Sequence, residues 1–260
     1  MIRATILGCG SSGGVPRLGG HWGECNPENP RNRRRRCSLL LERPGPQGTT
    51  RVLIDTGPDL VPQLLDAGVG LLDGVVWTHP HADHIHGLDD LRQIVHNRRA
   101  ILPGWADRPT AAALHKRFGY AFETPPGSSY PPILELHLIG GPFTVPGKGG
   151  PIHFTPFTVD HGIPALGFRI CEEEGGRALV YLPDVLAIGP DPQGVPRQLA
   201  RMTPPEPVAA GDGTIAATLP IDLPPELRNR ITRFAIEGEA SAGAVVLADD
   251  RVRRRSRSTT

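Results

Sequence analysis

The six residues His79-Pro80-His81-Ala82-Asp83-His84 hold three imidazoles and a carboxylate, and another imidazole follows at His86. Ionisable groups at this density are rarely packed into a core without partners, so the stretch is hard to explain as packing. The apolar run before it, Gly74-Val75-Val76-Trp77, reads as a buried strand. After it, Leu88-Asp89-Asp90-Leu91-Arg92-Gln93-Ile94-Val95 has its apolar residues at helical spacing. The cluster therefore falls where a strand ends and a helix begins, a usual place for sites in α/β proteins. Imidazole and carboxylate together suit Zn²⁺, Mn²⁺ or Fe rather than Ca²⁺ or Mg²⁺, which prefer oxygen alone. His79 and His81, two apart in extended chain, project to the same side. Asp83 and His84 turn with the helix start toward a neighbouring position. One segment can thus feed two adjacent ions.

Distant parts of the chain repeat this punctuation. Strand patterns at 51–54, 152–159 and 178–182 end in Asp55, His161 and Asp184, each beside a glycine or proline turn. Strand ends converge on one edge of a sheet, so these residues and the histidine cluster are expected to share a site. Helices are expected at 60–67 and 110–118. Strands at 133–139, 142–145 and 152–159 are expected to form one antiparallel section.

Two other features invite function. Gly8-Cys9-Gly10-Ser11-Ser12-Gly13 has GxGxxG spacing after a strand, but Gly14, Pro16, Gly19 and Gly20 follow where a dinucleotide-binding motif needs a helix. A glycine turn that brings backbone close to a site is the better reading. Arg33-Arg34-Arg35-Arg36 reads as a solvated loop with local ion pairs, with an anion-facing loop as the functional alternative.

Composition removes several classes. A net charge of +1 gives no global pull toward nucleic acid or anionic membrane. No apolar run approaches the ~20 residues that span a bilayer. Cys9, Cys25, Cys37 and Cys171 form no CxxC pair, so neither a disulfide framework nor a zinc knuckle is expected. A soluble cytoplasmic protein is predicted.

The cluster resembles the signature of the metallo-β-lactamase superfamily of hydrolases. Gly8 to Pro16, Arg33 to Ser38, Leu53 to Leu60 and His84 to Arg92 resemble its phosphoribosyl 1,2-cyclic phosphate phosphodiesterase-like branch. The resemblance implies an α/β (α+β) fold, a four-layer αββα sandwich whose second half this sequence represents incompletely. It implies that His79, His81 and His161 hold one metal, that Asp83 and His84 hold a second, and that Asp184 bridges both. Asp83 is thereby both ligand and catalytic residue, and Asp55 orients the histidine segment from behind. The implied cofactors are two divalent ions, Zn or Mn, that turn a bridging water into a hydroxide nucleophile. The implied substrate is a small, cyclic or related phosphate ester; no membrane partner is expected, nucleic acid is disfavoured because no RNA-clamping arm is apparent, and a homodimer is left open. The alternatives are a thioester or lactone hydrolase and a weakly active or non-catalytic member. His86 is expected to help the helix start or line the pocket. His96, His115, His137 and His153 are expected to be ordinary surface or packing residues.

The sequence departs from the branch twice. The branch's structural zinc is held by clustered cysteines after the glycine loop, where this chain has His21-Trp22-Gly23-Glu24-Cys25, so that zinc is expected to be absent. The superfamily also supplies a late histidine to the second metal, and here no histidine follows His161. Asp212, Asp222, Asp249 and Asp250 are the substitutes on offer, and the second position is expected to be weak. A hydrolase domain is therefore predicted over 1–188, followed by an atypical Pro/Arg-rich segment over 189–260. That segment lacks His, Cys, Trp and Tyr, which raises a shift of reading frame near Ile188. Helical periodicity is expected only at 227–236, and disorder over the last ten residues.

Overall fold

The computed structural model describes residues 1–173 and 178–184, and beyond them the backbone of strands at 187–188, 208–209, 215–216, 231–235 and 245–249. Sequence patterning gives two sheets face to face. The first has the order β1 (Arg3–Gly8), β2 (Ser38–Gly45), β3 (Gly48–Ile54), β4 (Gly74–Val76), β5 (Leu102–Ala106), β6 (Leu134–Leu138). Its first three strands are antiparallel and β3 to β6 run parallel. Parallel neighbours need crossovers, which are supplied by α1 (Leu60–Asp66), then α2 (Ala82–Ile85) and α3 (Leu91–Arg98), then α4 (Arg108–Phe118).

Period-two alternation decides what each face covers. Leu40, Leu53, Val75 and Trp77 point into one core with Leu60, Leu64, Leu91 and Leu114 from the helices. Their neighbours Leu39, Leu41, Val52, Ile54 and Val76 point the other way, against Phe154, Phe168, Ile170 and Tyr181 of the second sheet. Each fully buried side chain of this size is worth roughly 1.5–3 kcal/mol relative to exposure. The first sheet is thus buried on both faces, as parallel strands require.

The second sheet is antiparallel and contains β7 (Phe143–Val145), β8 (Ile152–Asp160), β9 (Pro164–Cys171), β10 (Ala178–Leu182) and β11 (Ala187–Ile188). A pair, β12 (Val208–Ala209) and β13 (Ile215–Ala216), stands apart, while β14 (Ile231–Ala235) and β15 (Val245–Asp249) extend the second sheet beyond β10. Among the described residues the helices contribute their apolar faces to the first sheet only.

Three expectations are corrected. The run at 134–138 is not part of an antiparallel section with the next two, because β6 pairs parallel with β5 in the first sheet. The segment with helical periodicity at 227–236 contains β14, a short apolar run satisfied by pairing with β15. The helix read from Leu88 begins as a 3₁₀ turn over Leu88–Asp90 and becomes α-helical at Leu91. The expected disorder at 251–260 lies outside the described residues.

Candidate metal centre

β3 and β4 run parallel and pair Ile54 with Val76, so their C-terminal ends leave the sheet side by side. Asp55, the first residue past β3, takes a positive φ of 64°, a left-handed conformation that Asp tolerates better than most residues. That turn aims its fully buried carboxylate at the loop leaving β4. Asp55 Oδ1 accepts the Thr78 amide N–H at 2.8 Å, and Oδ2 accepts the Thr78 hydroxyl and faces His84 Nδ1, both at 2.8 Å. Asp55 thus stands directly behind Thr78 and His84. Thr78, just before the histidine cluster, bonds both Asp55 and His79 Nδ1, the latter at 2.9 Å. A hydroxyl directly preceding a histidine was the available signal.

The short α2 is fastened to the turn after β3 by backbone bonds: Thr56 N–H to His84 O and Gly87 N–H to Thr56 O, both 2.8 Å. The approach is so close that a Cβ on Gly57 would lie 2.1 Å from Asp83 O. His81 caps α2 in extended backbone, so the chain is extended through His81 and helical from Ala82. His84 consequently comes back over His79, their ring centroids 4.0 Å apart, on a different side of that ring from His81 and His161.

The second sheet completes the cluster. His161 lies in the β8–β9 turn and Asp184 just past β10, both at the same edge as the ends of β3 and β4. The rings of His79, His81 and His161 form a triangle with centroids 4.7, 5.2 and 5.0 Å apart. One nitrogen from each of these three lies within 4.8 Å of the others, and the same spacing holds for a ring nitrogen of His79, one of His84 and a carboxylate oxygen of Asp184. Asp184 Oδ2 stands 3.2 Å from His84 Nε2 and 3.6 Å from His161 Nε2, between the two groups. Asp83 Oδ2 lies 3.4 Å from His84 Nε2. All the sequence-predicted site residues of the described chain therefore meet in one place.

Electrostatics differ across the cluster. Burial, with neighbouring imidazoles, lowers the His79 pKa to about 3, so its ring is neutral. Burial and His161 also lower that of His81. Burial pushes His84 the same way, but the Asp55 charge and bonds to Asp184, Asp55 and Asp83 raise it well above its usual value. Burial would raise Asp83, yet its bond to His84 brings it down to about 2. Asp184 is likewise lowered, with its burial outweighed by His84. The donor set fits a divalent cation on a further ground: Asp184 Oδ1 is buried with no hydrogen-bond partner. An acceptor oxygen so placed needs either a proton donor or a cation.

His86 is exposed at the end of α2, its ring edge-on to Phe118 at 5.7 Å. His137 stacks on Trp105, His115 leans on Phe122, and His153 bonds Thr144 Oγ1. The arginine run behaves as a loop with local partners. Arg33 covers Trp22, Arg34 bonds Asn32, Arg35 pairs with Asp66, and Arg36 approaches Asp59 at 3.2 Å. The glycine loop leads into no helix. Gly10 and Val15 instead donate to the carbonyls of Arg35 and Arg34, so the dinucleotide reading falls. Of the substitutes for the late histidine, Asp212, Asp222 and Asp250 lie outside the described residues. Asp249 stands at the wrong end of its strand: β15 pairs Val245 with Leu182 and Ala248 with Leu179, which puts Asp249 at the end of β10 remote from Asp184. No helix of the described chain is long and apolar enough to cross a membrane.

A family model described as a beta-lactamase superfamily domain matches residues 50–207. A solved structure described as a new diphosphatase from the PhnP family is 33% identical, with a TM-score of 0.53 over 65% of this chain and 63% of that one. The metallo-beta-lactamase fold protein YhfI from Bacillus subtilis is 18% identical, with a TM-score of 0.47 over 69% of this chain and 60% of that one. A curated protein of Porphyromonas gingivalis named octanoyltransferase is 36% identical over 172 residues, 66% of this chain. The chain spans only 33% of that protein's length.

Proposed function

The chain belongs to the beta-lactamase superfamily, and from that membership and the geometry of its histidine–carboxylate cluster we propose a divalent-metal-dependent phosphodiesterase acting on a small phosphate ester. The observation that carries the metal reading is the pair of donor groups sharing His79, with Asp184 Oδ2 between them. The substrate class rests on the likeness to a PhnP-family diphosphatase.

His79, His81 and His161 would hold one ion, and Asp83 and His84 the other, with Asp184 serving both. Nitrogen and oxygen donors in this mixture suit Zn²⁺ or Mn²⁺. Bound divalent cations supply Lewis acidity toward a phosphoryl oxygen and acidify water near neutral pH. The residues present the donors in usable form. Burial keeps the His79 ring neutral, and Asp83 stays ionised because His84 neighbours it. The second position, lacking the superfamily's late histidine, is the weaker of the two.

His84 predicts a proton count. In the metal-free chain the Asp55 charge and the bonds to Asp184, Asp55 and Asp83 outweigh burial and favour its protonated form, whereas a coordinating Nε2 must be bare. His79, with a pKa near 3, has no proton to give up. Filling both positions at pH 7 is therefore expected to release at least one proton per chain, that of His84, and a further one where the bound water ionises. Titration calorimetry with Zn²⁺ in buffers of different ionisation enthalpy measures it; zero release would place His84 outside the coordinating set.

The function is tested with bis(p-nitrophenyl) phosphate, cyclic ribose phosphates and acyl thioesters in the presence of Zn²⁺ or Mn²⁺. Diester turnover is expected, and His81→Ala should lower kcat/KM about 10³-fold through loss of cation charge at the reacting centre. Thioester hydrolysis without diester turnover would overturn the phosphodiesterase reading. It would favour the acyl chemistry suggested by the octanoyltransferase name, of which this chain matches a third. Equal diester turnover by His81→Ala would remove the site from the reaction.

A further inference from the structure

Four residues beneath the cluster, Asp55, Thr78, His79 and His84, are fully buried, so water cannot rearrange the hydrogen bonds among them. Their protons can therefore be assigned by counting. A carboxylate only accepts, and a threonine hydroxyl has one hydrogen. Asp55 Oδ2 lies 2.8 Å from Thr78 Oγ1, a separation that requires the hydroxyl hydrogen between them. Thr78 Oγ1 then offers only lone pairs to His79 Nδ1, 2.9 Å away on its other side. That nitrogen must carry a hydrogen. With that hydrogen on Nδ1, Nε2 is the ring nitrogen left to accept, and it faces His81 Nδ1 across the cluster.

The neighbours agree with this assignment. His81 Nδ1 lies 3.1 Å from His79 Nε2 and can donate to it. The opposite tautomer would leave two acceptors facing each other at 2.9 or 2.8 Å in a dry interior. Thr78 has little freedom to turn away. Its amide donates to Asp55, and its carbonyl accepts Leu166 N–H at 2.9 Å.

We propose that Thr78 is a positioning residue for His79: its hydroxyl relays the buried Asp55 carboxylate to the ring and fixes Nδ1 as the protonated nitrogen. Asp55 thereby sets the outward nitrogen of two imidazoles, His84 by direct contact and His79 through one hydroxyl. Its bearing on metal affinity rests on the metal-centre reading above; the hydrogen count does not.

The test uses the full chain labelled with ¹⁵N-histidine in EDTA at pH 7. Long-range ¹H–¹⁵N correlations, assigned with His79→Gln, report which ring nitrogen is protonated. The expected result is Nδ1–H for His79 in the wild type and in Thr78→Ser, and its loss in Thr78→Val with the His84 signals unchanged. An Nε2 proton on wild-type His79 overturns the relay; so does an unchanged tautomer in Thr78→Val. Competition titration of Zn²⁺ against a chromophoric chelator should show the first equivalent weakened about 10–100-fold in Thr78→Val and restored in Thr78→Ser. Equal affinity in wild type and Thr78→Val refutes the positioning role. A wild type with the expected tautomer but no Zn²⁺ uptake overturns the metal-centre reading and leaves the relay standing.

Discussion

Asp55→Ala is expected to lower the unfolding free energy of the metal-free chain by about 3–5 kcal/mol, the usual effect of removing one partner from a buried charge pair. The carboxylate is fully buried and accepts from the Thr78 amide, the Thr78 hydroxyl and His84 Nδ1. Alanine leaves all three donors without an acceptor, each at a cost of about 1–3 kcal/mol if nothing relaxes. It also places a residue with no polar side chain at φ 64°, where Asp is better tolerated. Urea unfolding in EDTA measures the loss, and Asp55→Asn, which keeps the shape and one acceptor, should lie between the two. A loss below about 1 kcal/mol, the net worth of one ordinary hydrogen bond, would show that the carboxylate does not hold the loop.

Gly57→Ala should damage the chemistry more than the fold. The added Cβ would sit 2.1 Å from Asp83 O, and the atom it meets is backbone, which cannot swing aside like a side chain. Reaching van der Waals distance requires a shift of more than about 1 Å at the start of α2, and a misplacement of this size can cost about 10²-fold in rate. Overpacking itself costs about 1–3 kcal/mol of stability. The expected pattern is a drop of about 10² in kcat/KM for bis(p-nitrophenyl) phosphate, with Zn²⁺ affinity of the first equivalent retained. Wild-type turnover would show that Asp83 is not held by this contact.

Asp55 belongs to the part of the site that local sequence pattern carries. Strand ends carrying Asp55, His79, His161 and Asp184 were legible because strand patterning and turn residues are local signals. Their convergence followed from the general geometry of a sheet edge. Which sheet β6 joins was not legible, because pairing with β5 rather than with β7 depends on contacts that local pattern does not encode. The segment around Ile231–Ala235 misled for a related reason: a short apolar run fits either period, and only the presence of β15 selects the strand. The arginine run could be read as a loop, but its individual partners, Asp59 and Asp66, lie on or beside a helix reached only by folding. Thr78 carries little local signal, because a lone hydroxyl is common and its significance comes from two bonds made at once.

The bond from Leu166 N–H to Thr78 O crosses from the second sheet to the loop of the first. The cluster itself is divided the same way, with His79, His81, Asp83 and His84 from one half and His161 and Asp184 from the other. An ion gripped by both halves would act as a rivet through the sandwich, drawing together residues about a hundred positions apart in the chain. Whatever lets the halves part would then loosen the ion, and filling the site would resist their parting by the same free energy. Metal occupancy and the closure of the two halves become one equilibrium, so a chelator would act on this protein partly as a denaturant.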